Sequence, residues 1–589
     1  MSLETSPNTQ STSAGSRQGW RIGLGLLLLA PAGLCCLATL ALPTLQTLIT
    51  SLQKVSLKGA ATFVGLDNYA YFFELKTLGD TLGFTLLLAV GRVLMVILVP
   101  LLLAVAVNEF GRKTRLGLRL LFSLPLALFA PVAMALSWRL FLSPRFGLFE
   151  QGRPWLADPE LAPWALIGID ALSFFGLACG LGLVVYLMAL RGAGDAPATW
   201  PQVRAPLFVV WALTILATIA LSLQEFSLAF LLTGGGPGNR TVNLALLQYK
   251  TSFQMLNFGV GSTISSLLLF ILMLLGLIAG VLIIAMGLQL ETIPPAKPTG
   301  LLNKSRRSLA MVLLVVALVA SLPCIGLGLL PALWTAKTAL IGGADFAQAI
   351  KMVPIGQASL NTLVPTTAAI LLIQLPLTYL AAVGIGALRP LGRRSEWLLL
   401  LFSPWLLVSI SPLSIVFFER MRTAGLLNSL LGLAPPILVS LPMLFILTLF
   451  FKGQEPKWRA AQAAGQPAFK AFFQTIVLPS LPLTALLVWV ALVVSQQDMV
   501  WPLLAVSNAD KSPIVIWLVR ISSQFATNSV LMSALLVLFG LPSFVVTLVI
   551  VALFQIFYLD RLALSRATPN KQDNINLTHS SDSDKLPAS

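Results

Sequence analysis

Apolar runs of membrane-spanning length recur along nearly the whole chain, and no other feature restricts its fold as tightly. Ile22 to Leu40, Thr85 to Val107, Ser265 to Leu288 and Val530 to Phe554 are four of them. Each has roughly 20 residues, the length at which a helix crosses a hydrocarbon layer of ~30 Å. Inside lipid a backbone amide has no water to bond, so a crossing segment must be a helix or belong to a closed barrel. None of these runs alternates with the period of two that a barrel strand needs. The chain is therefore expected to be an all-α polytopic membrane protein, and its 57% hydrophobic and 10% charged residues fit that class.

Twelve spans are expected, six per half, opening near residues 22, 80, 118, 164, 206 and 259 and then near 308, 359, 397, 437, 479 and 530. Arg112, Lys113, Arg115 and Arg119 follow the second, and Lys304, Arg306 and Arg307 the sixth. Arg389, Arg393 and Arg394 follow the eighth, and Lys452, Lys457 and Arg459 the tenth. All are even-numbered connections, and Arg17 and Arg21 precede the first span. Because basic loops stay inside, both termini are expected in the cytoplasm. The net charge of +16 is then a basic fringe facing anionic lipid, and no nucleic-acid partner is implied. Residues 1–19 and 561–589 are expected as disordered cytoplasmic tails, 20–290 and 308–560 as the two permeating halves, and 291–307 as a cytoplasmic linker broken by Pro294, Pro295 and Pro298.

The halves repeat each other. Gly192, Pro206, Gln224 and Glu225 have counterparts in Gly465, Pro479, Gln497 and Asp498, each pair 273 positions apart. A helical membrane protein built twice, with polar residues in matching places, reads as a two-fold pathway through the bilayer.

Much chemistry is excluded by what is missing. The only histidine is His579, in the tail, and Cys35, Cys36, Cys179 and Cys324 lie in apolar spans without metal-ligand spacing. No metal site and no histidine-dependent catalysis is expected. The sequence has no G-x-x-x-x-G-K-[ST] phosphate loop, so energy from ATP would have to come from another subunit. The chain itself is expected to be no enzyme and to bind no cofactor.

The most specific local signal runs from Lys457, Trp458, Arg459, Ala460 and Ala461 to Gly465, then through Phe469, Phe472, Phe473 and Ile476 to Leu478 and Pro479. It predicts a short alanine-rich helix stopped at Gly465. A second small helix follows at an angle, with Phe469, Phe472, Phe473 and Ile476 on one apolar face at i, i+3, i+4 and i+7. An ordinary amphipathic surface helix has the same pattern. The segment resembles the EAA coupling motif of ABC importer permeases, E-A-A-x-x-x-G followed by an apolar run to L-P. Ala460, Ala461, Gly465 and Leu478-Pro479 match it with one extra residue in the spacing, and Arg459 stands where that family has glutamate.

Further segments resemble carbohydrate permeases of the maltose-permease type. In the first half these are Phe63 to Tyr69, Pro131, Trp138 and Gly147, and Leu232 to Thr241 continuing to Phe258-Gly259. In the second half they are Gly425 to Asn428, Trp501 to Leu503, Leu531 to Ala534 and Leu541-Pro542. The resemblance covers roughly residues 20 to 560 and implies both six-helix permease subunits fused in one chain. It implies an ATP-driven importer, most often of carbohydrate, working by alternating access. The implied partners are two ABC ATPase subunits, which hold the ATP and Mg, an extracytoplasmic solute-binding protein and a small-molecule solute. Lys457, Arg459, Ala460, Ala461, Gly465, Phe469, Phe472 and Pro479 become the ATPase-coupling residues. Gly234, Gly235, Gly236, Pro237 and Gly238 become the docking loop for the binding protein, although glycine and proline also mark a flexible external turn. The alternatives are a fused ABC permease for iron, thiamine or polyamines and a twelve-helix secondary transporter of the major facilitator type.

Two departures from the motif carry expectations of their own. Arg191 to Ala205 spans some 15 residues where the second half has about 26, so the helix that should precede Gly192 has no room and one coupling site is expected to be degenerate. Arg459 reverses the charge at the surviving site and implies a partner of altered charge.

Polar residues within spans are candidates for the solute path, because an acidic side chain at mid-bilayer costs about 2.5 to 3.5 kcal/mol. Gln224, Glu225, Gln497, Asp498 and Trp501 supply hydroxyl-binding groups and an aromatic face suited to carbohydrate. The same positions read as polar lining of the outer mouth, and Trp501 and Trp138 as interface anchors. Asp170, Asn361 and Gln374 read equally as interhelical hydrogen bonds.

Overall fold

A computed structural model describes residues 10–55, 61–145, 147–148, 153–191, 199–294, 307–343, 346–524 and 528–566. In the first half α1 (Gln10–Cys36) passes through a π turn into α2 (Leu42–Ser51), and α3 (Leu78–Ile97) is followed by α4 (Val99–Asn108). The third segment is broken: α5 (Arg112–Leu121) and α6 (Ser123–Ala127) are separated from α7 (Pro131–Phe141) by a bend of 82°. Pro131 cannot donate to the preceding turn, and Ala130 leaves helical geometry at φ −149, ψ 79. Then come α8 (Leu161–Leu190), α9 (Trp200–Leu223), α10 (Ser227–Leu232) and α11 (Phe258–Ala285).

The second half follows the same order. α12 (Arg307–Ile341) precedes α13 (Ile355–Ala369) and α14 (Leu375–Val383), which a π turn joins. The third segment is again broken, here into 3-10 stretches at Gly392–Leu401, Ser403–Trp405 and Ser411–Leu413 before α15 (Ser414–Thr423). After it come α16 (Leu441–Ala463), α17 (Ala468–Phe472), α18 (Leu478–Gln496), α19 (Val500–Ala505), α20 (Ile514–Gln524) and α21 (Ser529–Phe557).

Among the described residues nine helical rods are long and apolar enough to cross a membrane, or ten when the bent pair counts as one. The fold is all-α and polytopic as expected, but the count of twelve is not reached, and the difference has local causes. The run near 118 bends, the run near 397 is 3-10 chain interrupted by Pro404 and Pro412, and α16 admits Lys452, Glu455, Lys457 and Arg459 after a short apolar start.

Among the described residues two small antiparallel ladders interrupt the helices. One pairs β1 (Gln53–Lys54) with β2 (Thr62–Phe63). The other pairs β3 (Leu288–Thr292) with β4 (Leu562–Arg566) in a register from Leu288 opposite Arg566 to Thr292 opposite Leu562. β3 follows α11 and β4 follows α21, so the ladder ties the matching ends of the two halves. Residues Leu562 to Arg566 lie in the stretch expected as a tail, yet Leu562 to Ser565 are buried. Likewise α1 opens at Gln10, inside the stretch expected as the N-terminal tail.

Each half's first helix packs on the other half. α1 lies against α14, and α12 lies against α4, α7 and α8. Glycine permits both crossings. A Cβ on Gly384 would sit 2.6 Å from Gly25 O, and one on Gly328 would sit 2.7 Å from Leu172 O. Without lipid-phase hydrophobic drive, such close backbone approach supplies the dispersion contact that holds membrane helices together. The largest apolar core accordingly mixes the halves, with Leu29 and Cys36 beside Ala381 and Val383.

Candidate functional site

The segment from Lys457 to Pro479 forms one exposed elbow. Its alanine-rich part is not a separate short helix; it is the last turns of α16. Gly465 stops α16 at φ +81, its N–H donating to Gln462 O at 3.0 Å while Gln466 N–H donates to Ala461 O at 3.2 Å. This is a Schellman stop, which a residue with a Cβ enters only at a cost. α17 then leads through a π turn into α18, so the second helix is the opening of the next span, with Pro479 in its first turn.

The four apolar residues of the elbow do not share one face. Phe472 meets Trp458 edge to face at 5.5 Å and Ile476 is buried. Phe469 and Phe473 stack at 6.4 Å on the outside, Phe469 being 81% exposed. The two i, i+4 rows diverge round the helix, one into the core and one into the open. Lys457, Arg459, Ala460 and Gly465 are also exposed. Arg459 pairs with Glu455 one turn earlier. Behind the elbow, Arg21 lies over the Trp458 ring at 5.0 Å and donates to Gln462 Oε1 at 2.8 Å. Lys457 Nζ donates to Thr292 O and Oγ1 at 3.2 Å.

The first half has no second elbow among the described residues. α8 ends at Leu190, Gly192 lies outside the described residues, and α9 opens at Trp200 behind a capping box of Thr199 and Gln202. Arg191, the last residue before this short connection, is buried and binds the Asp560 carboxylate and backbone carbonyl. Asp560 also takes Arg119 at 3.1 Å and Arg112 at 3.6 Å.

The polar residues expected to line a path divide by half. Gln224 caps α9 and reaches across the halves: its Nε2 donates to Leu407 O at 2.9 Å and its Oε1 accepts Ser409 N–H at 2.7 Å. Gln497 borders a cavity of about 210 Å³ together with Leu128, Phe129 and Ala130 at the break of the first half's third segment. Glu225 is bound by Arg92 at 2.7 Å, and Arg92 holds Asp170 at 2.5 Å. Arg92 and Asp170 are buried, and within the first half one guanidinium thus bridges two carboxylates. Arg92 carries it and escapes sequence reading, since a lone arginine inside an apolar run gives no motif. Asp498 accepts from Val500 and Trp501 N–H at 3.2 and 3.4 Å at the start of α19. Trp501 is fully buried, with its indole donating to Gly432 O at 2.9 Å. Asn361 donates to Asp510 O at 2.8 Å and Gln374 to Ile437 O at 2.7 Å.

At the opposite end from the elbow, Gly234 to Gly238 form a closed turn. Thr241 Oγ1 donates to Gly236 O at 2.7 Å and contacts Thr233 Oγ1 at 2.6 Å. Gly235 is buried at φ +87, and a Cβ there would meet Val242 at 2.6 Å. Gly234 and Gly238 remain exposed. A cleft of about 490 Å³ opens between α2 and α15, lined by Gln46, Thr50, Glu419, Arg420 and Thr423.

No family model matches the chain. It is 29% identical over 269 residues to the sulfoquinovosyl glycerol transport system permease protein of Agrobacterium fabrum, taking in 41% of this chain and 84% of that one. It is 28% identical over 276 residues to a probable ABC transporter permease protein of Bacillus subtilis, 43% and 92% of the two chains. It is 28% identical over 270 residues to the trehalose/maltose transport system permease protein of Thermococcus litoralis, 43% and 90% of the two. Each relative is matched nearly whole by less than half of this chain. On these matches the chain is a homologue of ABC transporter permease proteins, those of sugar transport systems among them, with room in its 589 residues for two.

Proposed function

We propose that the chain is both permease halves of an ATP-driven importer for a carbohydrate. Two ATPase subunits work beneath it, and a solute-binding protein docks on the far side near Gly234 to Gly238. The observation that carries this reading is the elbow. An exposed, glycine-stopped corner with two stacked phenylalanines sits at the end of the molecule where the arginine-rich loops gather, and the motor can grip it there. The relatives are ABC permeases, which favours this reading over a proton-coupled carrier. By the positive-inside rule that end is cytoplasmic and both termini lie there, in the inner membrane. The ATP and Mg belong to the partner subunits.

Alternating access then follows from packing. Each half carries a broken third segment, and each fifth-span glutamine faces the break in the other half. When the ATPases close, they draw the elbow and the halves rock about the interlocked α1 and α12, opening and closing the space beside Gln497. Deleting residues 457–473 is expected to abolish ATPase recruitment and ATP-driven uptake of maltose or trehalose as test sugars, and deleting 192–204 is expected to leave recruitment in place. The reverse pattern would refute the reading.

A further inference from the structure

We infer that the β3–β4 ladder transmits the stroke of the elbow to the first half, where the described residues form no second one, with Thr292 and Asp560 as its positioning anchors. The inference rests on the importer reading and extends it.

The ladder is built from one strand of each half, and each strand is packed on the other half. β3, which belongs to the first half, lies on α16, the helix that ends in the elbow. Thr292 at its end receives Lys457 Nζ and Gln454 Nε2, each at 3.2 Å. A Cβ on Gly453 would sit 2.3 Å from Leu290 O, so the strand touches the α16 backbone itself. β4, which belongs to the second half, lies on α8 and α9, the two helices that flank the shortened connection. Beside its start the buried Asp560 holds buried Arg119 and Arg191, and Arg191 Nη1 also meets Leu562 O at 3.4 Å.

The link between the strands is stiff. Pairing runs over the whole of both strands and continues with Ile293 N–H donating to Arg561 O at 2.8 Å. Ser565 Oγ donates to Glu291 Oε1 at 3.0 Å, and Gln289 Nε2 donates to the same oxygen. Half-buried polar contacts that partner one another across two strands in this way favour one geometry over several. A displacement of α16 therefore reaches α8 through Thr292, the paired strands, Asp560 and Arg191. A contiguous chain of packed and bonded groups is the physical form that such coupling takes.

The test uses the full chain assembled with its ATPase subunits in lipid nanodiscs, spin-labelled at Lys113→Cys and Arg394→Cys. The distance change between nucleotide-free and ATP-plus-vanadate states is read by pulsed electron resonance. Thr292→Val and Asp560→Asn are each expected to shrink that change at least about twofold while the amount of co-purified ATPase stays constant. Because Asp560→Asn can impair folding, a disulfide pair, Gln289→Cys with Ser565→Cys, provides the second arm. Locking the register partners together is expected to preserve the full change. A full change in Thr292→Val, or its loss when the strands are locked, would overturn the inference. Absence of ATPase from the wild-type preparation would instead refute the importer reading, and this proposal with it.

Discussion

Gln224 Oε1 accepts the backbone N–H of Ser409 at 2.7 Å, which fastens the end of the first half's fifth span to the break in the second half's third segment. Its counterpart Gln497 faces the other break, at Leu128 to Ala130, across a cavity of about 210 Å³. The two-fold relationship seen in the sequence is thus one of position, and the chemistry differs: one glutamine is engaged and the other lines open space.

Gln224→Ala removes the side chain that bonds half-buried Leu407 O and exposed Ser409 N–H and is expected to lower stability by about 0.5–1.5 kcal/mol, the net worth of a hydrogen bond that water can partly replace. Gln497→Ala is expected to change it by under about 0.5 kcal/mol. Thermal unfolding of the two variants in the same detergent checks the asymmetry.

Arg92→Met leaves Asp170 and Glu225 facing each other in the protein interior. The expected loss is about 3–5 kcal/mol, the usual result of removing one member of a buried ion group. Adding Asp170→Asn and Glu225→Gln should recover part of it, since uncharged amides are cheaper to bury. The yield of folded protein after solubilisation, compared across the single and triple variants, measures both effects.

Gly465→Val places a β-branched residue at φ +81, a left-handed conformation that costs about 1–2 kcal/mol for residues with a Cβ. The elbow is expected to fray while the spans remain. Hydrogen exchange should quicken from Ala461 to Gln466 and stay unchanged in α18.

Phe469→Asp alters a side chain that is 81% exposed, so stability should hold within about 0.5 kcal/mol. Capture of the ATPase subunits should weaken at least about tenfold, or roughly 1.4 kcal/mol. Titration of immobilised permease with the purified ATPase gives both numbers.

Most of the architecture was legible in the sequence because lipid leaves a chain few choices. Nine of the expected starts fall on rods of spanning length, and Gly465 stops its helix where its lack of a side chain says it should. The broken third segments were not legible, since Pro131, Pro404 and Pro412 sit in runs that hydropathy alone scores as continuous. The β3–β4 ladder was hidden for another reason. Leu288 and Leu290 alternate with Gln289 and Glu291, a period-two signal over only five residues, too short to stand out beside a charged linker. Of the candidate path residues, sequence found the acid Glu225 but not Arg92, which pairs with it. Trp501, the aromatic among them, is fully buried with its indole bonded to Gly432 O, a packing that no motif announces.

If the motor grips the elbow, site-specific photocrosslinking in the assembled complex will catch it there. A crosslinker at Phe469 is expected to trap the ATPase subunit, and one at Met255, exposed at the far end of α11, is expected to trap none of it. ATPase adducts at Met255 with none at Phe469 would contradict the account.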